Sequence, residues 1–238
     1  MILPLVDPFT PPYEEWATRP ATLEEMIANK SPFDIKTGLK HCIDNAQAAA
    51  EYVVNAPSDN GLSNHIQDVL DNSRSYKAWQ DEMPKSTPMA ISCYQKEYYN
   101  CDYSLVSDEI CEHGRYIEVG QYLFHGGCWK AFSDGVTTRP LSTSLCPQVA
   151  LMNALYGAKA YDAGQLDLIV LRVAEPTTKA FVFKRKGTKN GHEIEVLLAP
   201  GACLTLKSKK LVRKDFSATK CDQPDKSIPA YVINVDVS

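Results

Sequence analysis

Glu193 and Glu195 stand two positions apart in His192-Glu193-Ile194-Glu195, just ahead of the apolar run Val196-Leu197-Leu198-Ala199 and the turn pair Pro200-Gly201. On an extended strand the two side chains project from one face. Carboxylates side by side raise each other's cost of ionisation, so the pairing suits a reaction that gives each a separate task. The alternative is a half-exposed strand, with Ile194, Val196 and Leu198 facing a core and the glutamates facing water. Leu197 shares the glutamate face and the chain then turns, so this face is expected to run from solvent into a covered region, as the wall of a cleft does.

Two upstream segments carry groups that could work with such a pair. Arg139-Pro140-Leu141-Ser142-Thr143-Ser144 reads as a short strand with Ser142 and Ser144 on one face, ahead of a helix that Pro147 opens. Ser144 is expected to cap that helix. Ser142 lies too far upstream to cap and is placed to hold a neighbouring carboxylate. Tyr122-Leu123-Phe124-His125-Gly126-Gly127 ends a strand in a histidine and two glycines. The glycines would let the backbone approach a bulky ligand, and a histidine donor suits phosphate or ribose oxygens. The alternative there is an ordinary turn.

The elements that must position these groups follow from composition and periodicity. With 238 residues, 44% of them hydrophobic, the chain can build one substantial core with an appendage. No run approaches the ~20 apolar residues that span a bilayer, and Met1-Ile2-Leu3-Pro4 lacks the basic start and long apolar stretch of an export signal, so the expectation is a soluble protein. The eight cysteines show no zinc-knuckle or redox spacing and are read as reduced thiols, with no metal site expected. Residues 1–30 contain Pro4, Pro8, Pro11, Pro12 and Pro20 and suggest an extended arm, after which Thr22-Leu23-Glu24-Glu25 looks like a helix start. Helical spacing predicts helices over 38–54, 62–80 and 89–105, with a turn at 55–61. Beyond Gly120 short strands are predicted at 121–124, 166–173, 179–183, 194–198, 203–206 and 231–237. The net charge of −4 divides unevenly: residues 1–120 hold 9 Lys+Arg and 19 Asp+Glu, against 16 and 10 in residues 121–238. The basic excess at Lys184-Arg185-Lys186, Lys189 and 207–214 could steer an anionic partner, or be a solvated face.

Taken in order, Phe124-His125-Gly126, Ser142-Thr143-Ser144 and Glu193-Ile194-Glu195 with Pro200-Gly201 resemble the mono-ADP-ribosyltransferase family, in its arginine-serine-glutamate branch. Ala90-Ile91-Ser92-Cys93-Tyr94 through Tyr98-Tyr99-Asn100 looks like the helix that precedes the first core strand of that family. The resemblance covers roughly residues 86–238. His125 stands where the branch has arginine. Leu151, Met152 and Asn153 stand where it has an aromatic residue, for which Tyr156 is a candidate substitute.

The resemblance implies an α+β fold, an ADP-ribosyltransferase-like split β-sandwich with an N-terminal helical region. Residues 1–84 would be a helical accessory or target-binding region and 85–238 the catalytic domain. It implies NAD as co-substrate, lined by His125, Gly126, Ser142, Thr143 and Ser144, with Glu195 and Glu193 catalytic. Cleaving the nicotinamide glycosidic bond develops positive charge on the ribose, which a carboxylate stabilises. Glu195 takes that role, Ser142 orients it, and Glu193 serves the incoming nucleophile. Protein arginine is the leading acceptor, and the basic loop 184–191 resembles the family's target-recognition loop. Nucleic acid as acceptor, plain NAD glycohydrolysis and a silent NAD-fold binding protein stay open. Toxin, secreted effector and phage modifier are all compatible, acting in the cytoplasm of the producing cell or of a target cell.

Overall fold

The computed structural model describes residues 1–29, 34–58, 61–97, 100–129, 135–186 and 190–238. In chain order the elements are β1 (Ile2–Leu3), β2 (Tyr13–Pro20), α1 (Leu23–Asn29), β3 (Asp34–Ile43), α2 (Ala46–Asn55), α3 (Gly61–Asn72), α4 (Arg74–Asp81), α5 (Met89–Lys96), α6 (Tyr103–His113), β4 (Arg115–Ile117), β5 (Tyr122–Gly127), β6 (Leu141–Ser144), α7 (Pro147–Leu155), α8 (Lys159–Ala163), β7 (Leu166–Val173), β8 (Lys179–Val182), β9 (Glu195–Leu198), β10 (Leu204–Lys220) and β11 (Gln223–Val237). Local chemistry sets several starts. Thr22 and Glu25 form a reciprocal capping box at α1, Glu25 N–H donating to Thr22 Oγ1 and Thr22 N–H to Glu25 Oε2. Asn45, Ser73 and Asp102 cap α2, α4 and α6 by accepting amide bonds.

The fold is α+β. Nine strands pair in the order β1-β4-β8-β9-β6-β5-β7-β11-β10, and β2-β3 form a separate hairpin. Strands β5 and β6 meet at one register point only, Phe124 opposite Ser144. The large sheet therefore consists of two blocks joined at a single rung, and the expected split lies there. Helix α7 covers β5. A Cβ on Gly126 would collide with the Ala150 carbonyl of α7, so this glycine admits the helix against the sheet.

Several expected elements differ. Residues 38–43 belong to β3, paired with β2 from Tyr13–Ile43 to Pro20–Asp34. The hairpin is exposed along most of its length, so its apolar spacing carried no strand signal. The region 1–84 is thus not simply helical: it contains β1, β2 and β3. It also shares the core, because β1 runs parallel to β4, Phe9 packs edge-on against Phe124, and buried Trp79 donates from Nε1 to the Pro4 carbonyl. The helix expected over 89–105 is two, α5 and α6, with Tyr98 and Tyr99 outside the described residues. The strands expected at 203–206 and 231–237 extend into a 17-residue and a 15-residue partner pair. Most of β10 is exposed and held to β11 by backbone pairing, which hydrophobic alternation does not reveal, while Phe216, Ala218 and Ile228 near the hairpin's far end are buried.

The charge asymmetry is answered internally. Arg185 pairs with Asp71 and Lys210 with Glu51, joining basic back to acidic front, and Arg115 pairs with Glu82 within the front. Lys207, Lys209 and Arg213 also meet carboxylates. The expected basic face is mostly paired, and its Lys189 lies outside the described residues. Among the described residues no helix is long and apolar enough to cross a membrane.

Candidate active site

Strand β9 begins at Glu195, which lies opposite Ser144 of β6; Thr143 faces Val196 and Ser142 faces Leu197. The period-2 alternation puts Ser142, Ser144, Glu195 and Leu197 on one side and Thr143 and Val196 on the other. Across the diagonal, Ser142 Oγ donates to Glu195 Oε1 at 2.6 Å. Gln95 of α5 donates from Nε2 to Glu195 Oε2 at 3.1 Å. Both carboxylate oxygens are thereby held, by donors from two elements, and each keeps a further lone pair. Buried Tyr94, the preceding residue, fixes α5 beside the strand by donating to the Pro140 carbonyl at 2.8 Å.

Glu195 is 7% exposed. Burial pushes its pKa up to about 7, with a contribution from Glu193, against the lowering effect of the Ser142 and Gln95 hydrogen bonds. The carboxyl therefore changes charge near neutral pH, a displacement common among carboxyls at functional sites.

Glu193 does not continue the strand. It closes a 3₁₀ turn, Gly191–Glu193, and Ile194 sits at φ 50°, ψ 45°. A β-branched residue in the left-handed region is a genuine outlier, held here by burial of its side chain and by Ser144, whose Oγ donates to the Glu193 carbonyl at 2.7 Å. The expected common strand face for the two glutamates is thus replaced by a bend. Glu193 remains half-buried, and burial raises its pKa, offset in part by the adjacent His192.

His125 of β5 reaches across the joint: Nδ1 lies 2.7 Å from the Ser142 carbonyl. A carbonyl only accepts, so Nδ1 carries the proton. Burial brings the pKa down to about 4, partly countered by that bond and reinforced by Lys159, so the ring is neutral at pH 7. With its N–H committed, Nε2 is an acceptor, and the expected histidine donor towards phosphate is not what this geometry offers. Lys159 is a cation whose charge His125 feels, and no spacing in the sequence points to it.

Of the remaining candidates, Thr143 is buried and donates to the Val196 carbonyl at 2.6 Å, tying β6 to β9. Ser144 accepts from Cys146 N–H and does not cap α7, whose Cys146 N-cap has no side-chain bond. Gly126 is occupied by the approach of α7. Tyr156, beyond α7, is 76% exposed. The structure thus brings His125, Ser142 and Glu195 together, adds Gln95, and leaves Gly126, Thr143 and Ser144 supporting them. Gln95 had no sequence signal, being 100 positions from its partner.

No protein-family model matches the chain, and no characterised protein matches it by sequence. Among solved structures, the enzymatic component C2-I of the C2 toxin from Clostridium botulinum is similar at 12% identity and a TM-score of 0.39, over 68% of this chain and 45% of that one. BECa, an ADP-ribosylating toxin of C. perfringens solved with NADH, is similar at 10% identity and a TM-score of 0.40, over 94% and 56%. C3larvin, an ADP-ribosyltransferase from Paenibacillus larvae, gives 9% identity and a TM-score of 0.35, over 70% and 94%. The chain spans just under half the length of C2-I.

Proposed function

We propose that this chain cleaves NAD at the nicotinamide glycosidic bond and transfers ADP-ribose to a macromolecular acceptor, protein arginine first among them. The observation that supports it best is a buried carboxyl, Glu195, held at both oxygens and poised to ionise near pH 7. Ionised Glu195 accepts a ribose hydroxyl and opposes the positive charge that develops on the ribose as nicotinamide departs with the bonding electrons. Ser142 and Gln95 keep the carboxylate aimed. His125, neutral and with Nε2 as acceptor, suits a second sugar hydroxyl, and Lys159 supplies positive charge near the joint. Glu193, half-buried and harder to ionise than usual, orients the acceptor and takes its proton as the nitrogen lone pair bonds to the ribose carbon. In this reading residues 1–84 contribute to target contact, and Tyr156 stacks on the nicotinamide.

Incubation with NAD labelled in the adenylate half and a cell lysate, followed by protease or nuclease, tests the proposal. Label that protease releases supports the protein acceptor, and label that nuclease releases moves the acceptor to nucleic acid. Nicotinamide release with no bound label leaves water as acceptor. Absence of all three sinks the enzymatic reading.

A further inference from the structure

Helix α5 presents a second feature on a different residue from Gln95. Cys93 of α5 and Cys101, eight positions on, bring their sulfurs within 3.1 Å. Cys101 Sγ also donates to the Glu97 carbonyl at 3.1 Å, which holds it against the last turn of α5. A disulfide bond is about 2.05 Å long, so roughly 1 Å of closure separates the dithiol from the bonded state. Both thiols are half-buried and line a cavity of about 340 Å³ between α5 and α6, so a small reagent can reach them. Asp102, Asp108, Glu109 and Glu112 line the same cavity, which gives it an acidic wall. Among the described residues no group of three or more His, Cys, Asp or Glu is placed to hold a metal.

We propose that Cys93 and Cys101 form an oxidisable dithiol site that exchanges with small cationic disulfides. In the exchange, Cys93 sulfur attacks one sulfur of the reagent, forming a mixed disulfide and releasing one thiol. Cys101 sulfur then attacks Cys93 Sγ, forming the protein disulfide and releasing the second thiol. The two protein thiols are oxidised, the reagent disulfide is reduced, and both thiol protons leave on the two released thiols. The order follows from the surroundings. Burial, followed by Cys93 and Glu97, pushes the Cys101 thiol up to about 11, so it holds its proton more tightly than an ordinary thiol and is the poorer first nucleophile. The acidic wall selects the reagent, since it attracts a cation and repels an anion. The site does not depend on the NAD chemistry proposed above.

The test treats the full chain with cystamine, a dication, or with oxidised glutathione, an anion, then alkylates and digests with trypsin. Cleavage yields peptides 86–96, with Cys93, and 97–115, with Cys101 and Cys111. The expected result is a disulfide linking the two peptides, retained in Cys111→Ser and lost in Cys101→Ser, where cysteamine stays trapped on Cys93. At low salt cystamine should react roughly tenfold faster than glutathione disulfide. A persistent mixed disulfide on Cys93 in the unsubstituted protein, or a link through Cys111, overturns the dithiol pair. Equal rates for the two reagents overturn the assignment of charge.

Discussion

Replacing Glu195 with glutamine tests the physical state of the site independently of any acceptor. Its carboxyl is buried at 7% exposure with a pKa of about 7, above the ~4.3 of an unfolded glutamate. The folded state therefore holds the proton more tightly than the unfolded one. The stability this gives is complete below about pH 4 and is lost as pH rises through about 7. Each tenfold step in the proton equilibrium is worth ~1.4 kcal/mol, so ionised Glu195 costs the fold about 3 kcal/mol at pH 9 relative to pH 4, an upper figure because water can relax around it. Glu195→Gln keeps the shape, removes the charge, and should be more stable than the original chain at pH 9, with a melting temperature higher by roughly 6–10 °C. The two proteins should converge near pH 4. Urea or thermal unfolding across pH 4 to 9 measures this directly. A stability difference of the same size at both ends would refute the buried, neutral-pH carboxyl. The same substitution should abolish NAD cleavage, so stability and activity move in opposite directions at one residue.

Gln95→Ala removes a donor that favours the ionised form, so Glu195 should titrate higher; nicotinamide release should fall at pH 7 and recover at pH 9, and an unshifted pH profile counts against the Gln95 bond. Glu193→Gln should impair transfer to an acceptor while sparing some NAD hydrolysis; equal loss of both in a nicotinamide and label assay would remove the division of roles. Gly126→Ala should destabilise the fold by about 3 kcal/mol or more through collision with α7, seen as a lowered unfolding midpoint. Thr143→Val should cost about 1 kcal/mol by removing the buried hydroxyl's bond to the Val196 carbonyl, with NAD cleavage retained; loss of cleavage in a well-folded variant would give Thr143 a direct role.

Residues near one another in sequence and tied to a strong period were legible from the chain alone. The capping box at Thr22, the strand at 166–173, the helix opened by Pro147 and the shared face of Ser142 and Ser144 depend on spacing, cap chemistry and β-pleat. The Glu195 strand and its diagonal partner Ser142 follow from the same alternation. The long hairpin of β10 and β11 was not legible, because most of β10 is exposed and held by backbone bonds that any side-chain pattern permits. Nor was the bend at Ile194, where burial of one side chain and a bond from Ser144 override strand propensity.

What only tertiary structure decided were contacts between distant elements and the charge states they impose. Gln95 is 100 positions from Glu195, and nothing in local spacing selects it over other polar residues of α5. Cys93 and Cys101 lack a recognised spacing, and the bond of Cys101 to the Glu97 carbonyl at the end of α5 sets their sulfurs together. Gly126 is free to meet a ligand in the sequence, but α7 fills the space its missing Cβ leaves. The proton on His125 and the near-neutral titration of Glu195 depend on which carbonyls, donors and apolar walls surround them. Residue types and order determined what chemistry the chain could attempt; desolvation, which exists only once the elements pack, set the charge each group carries when it does so.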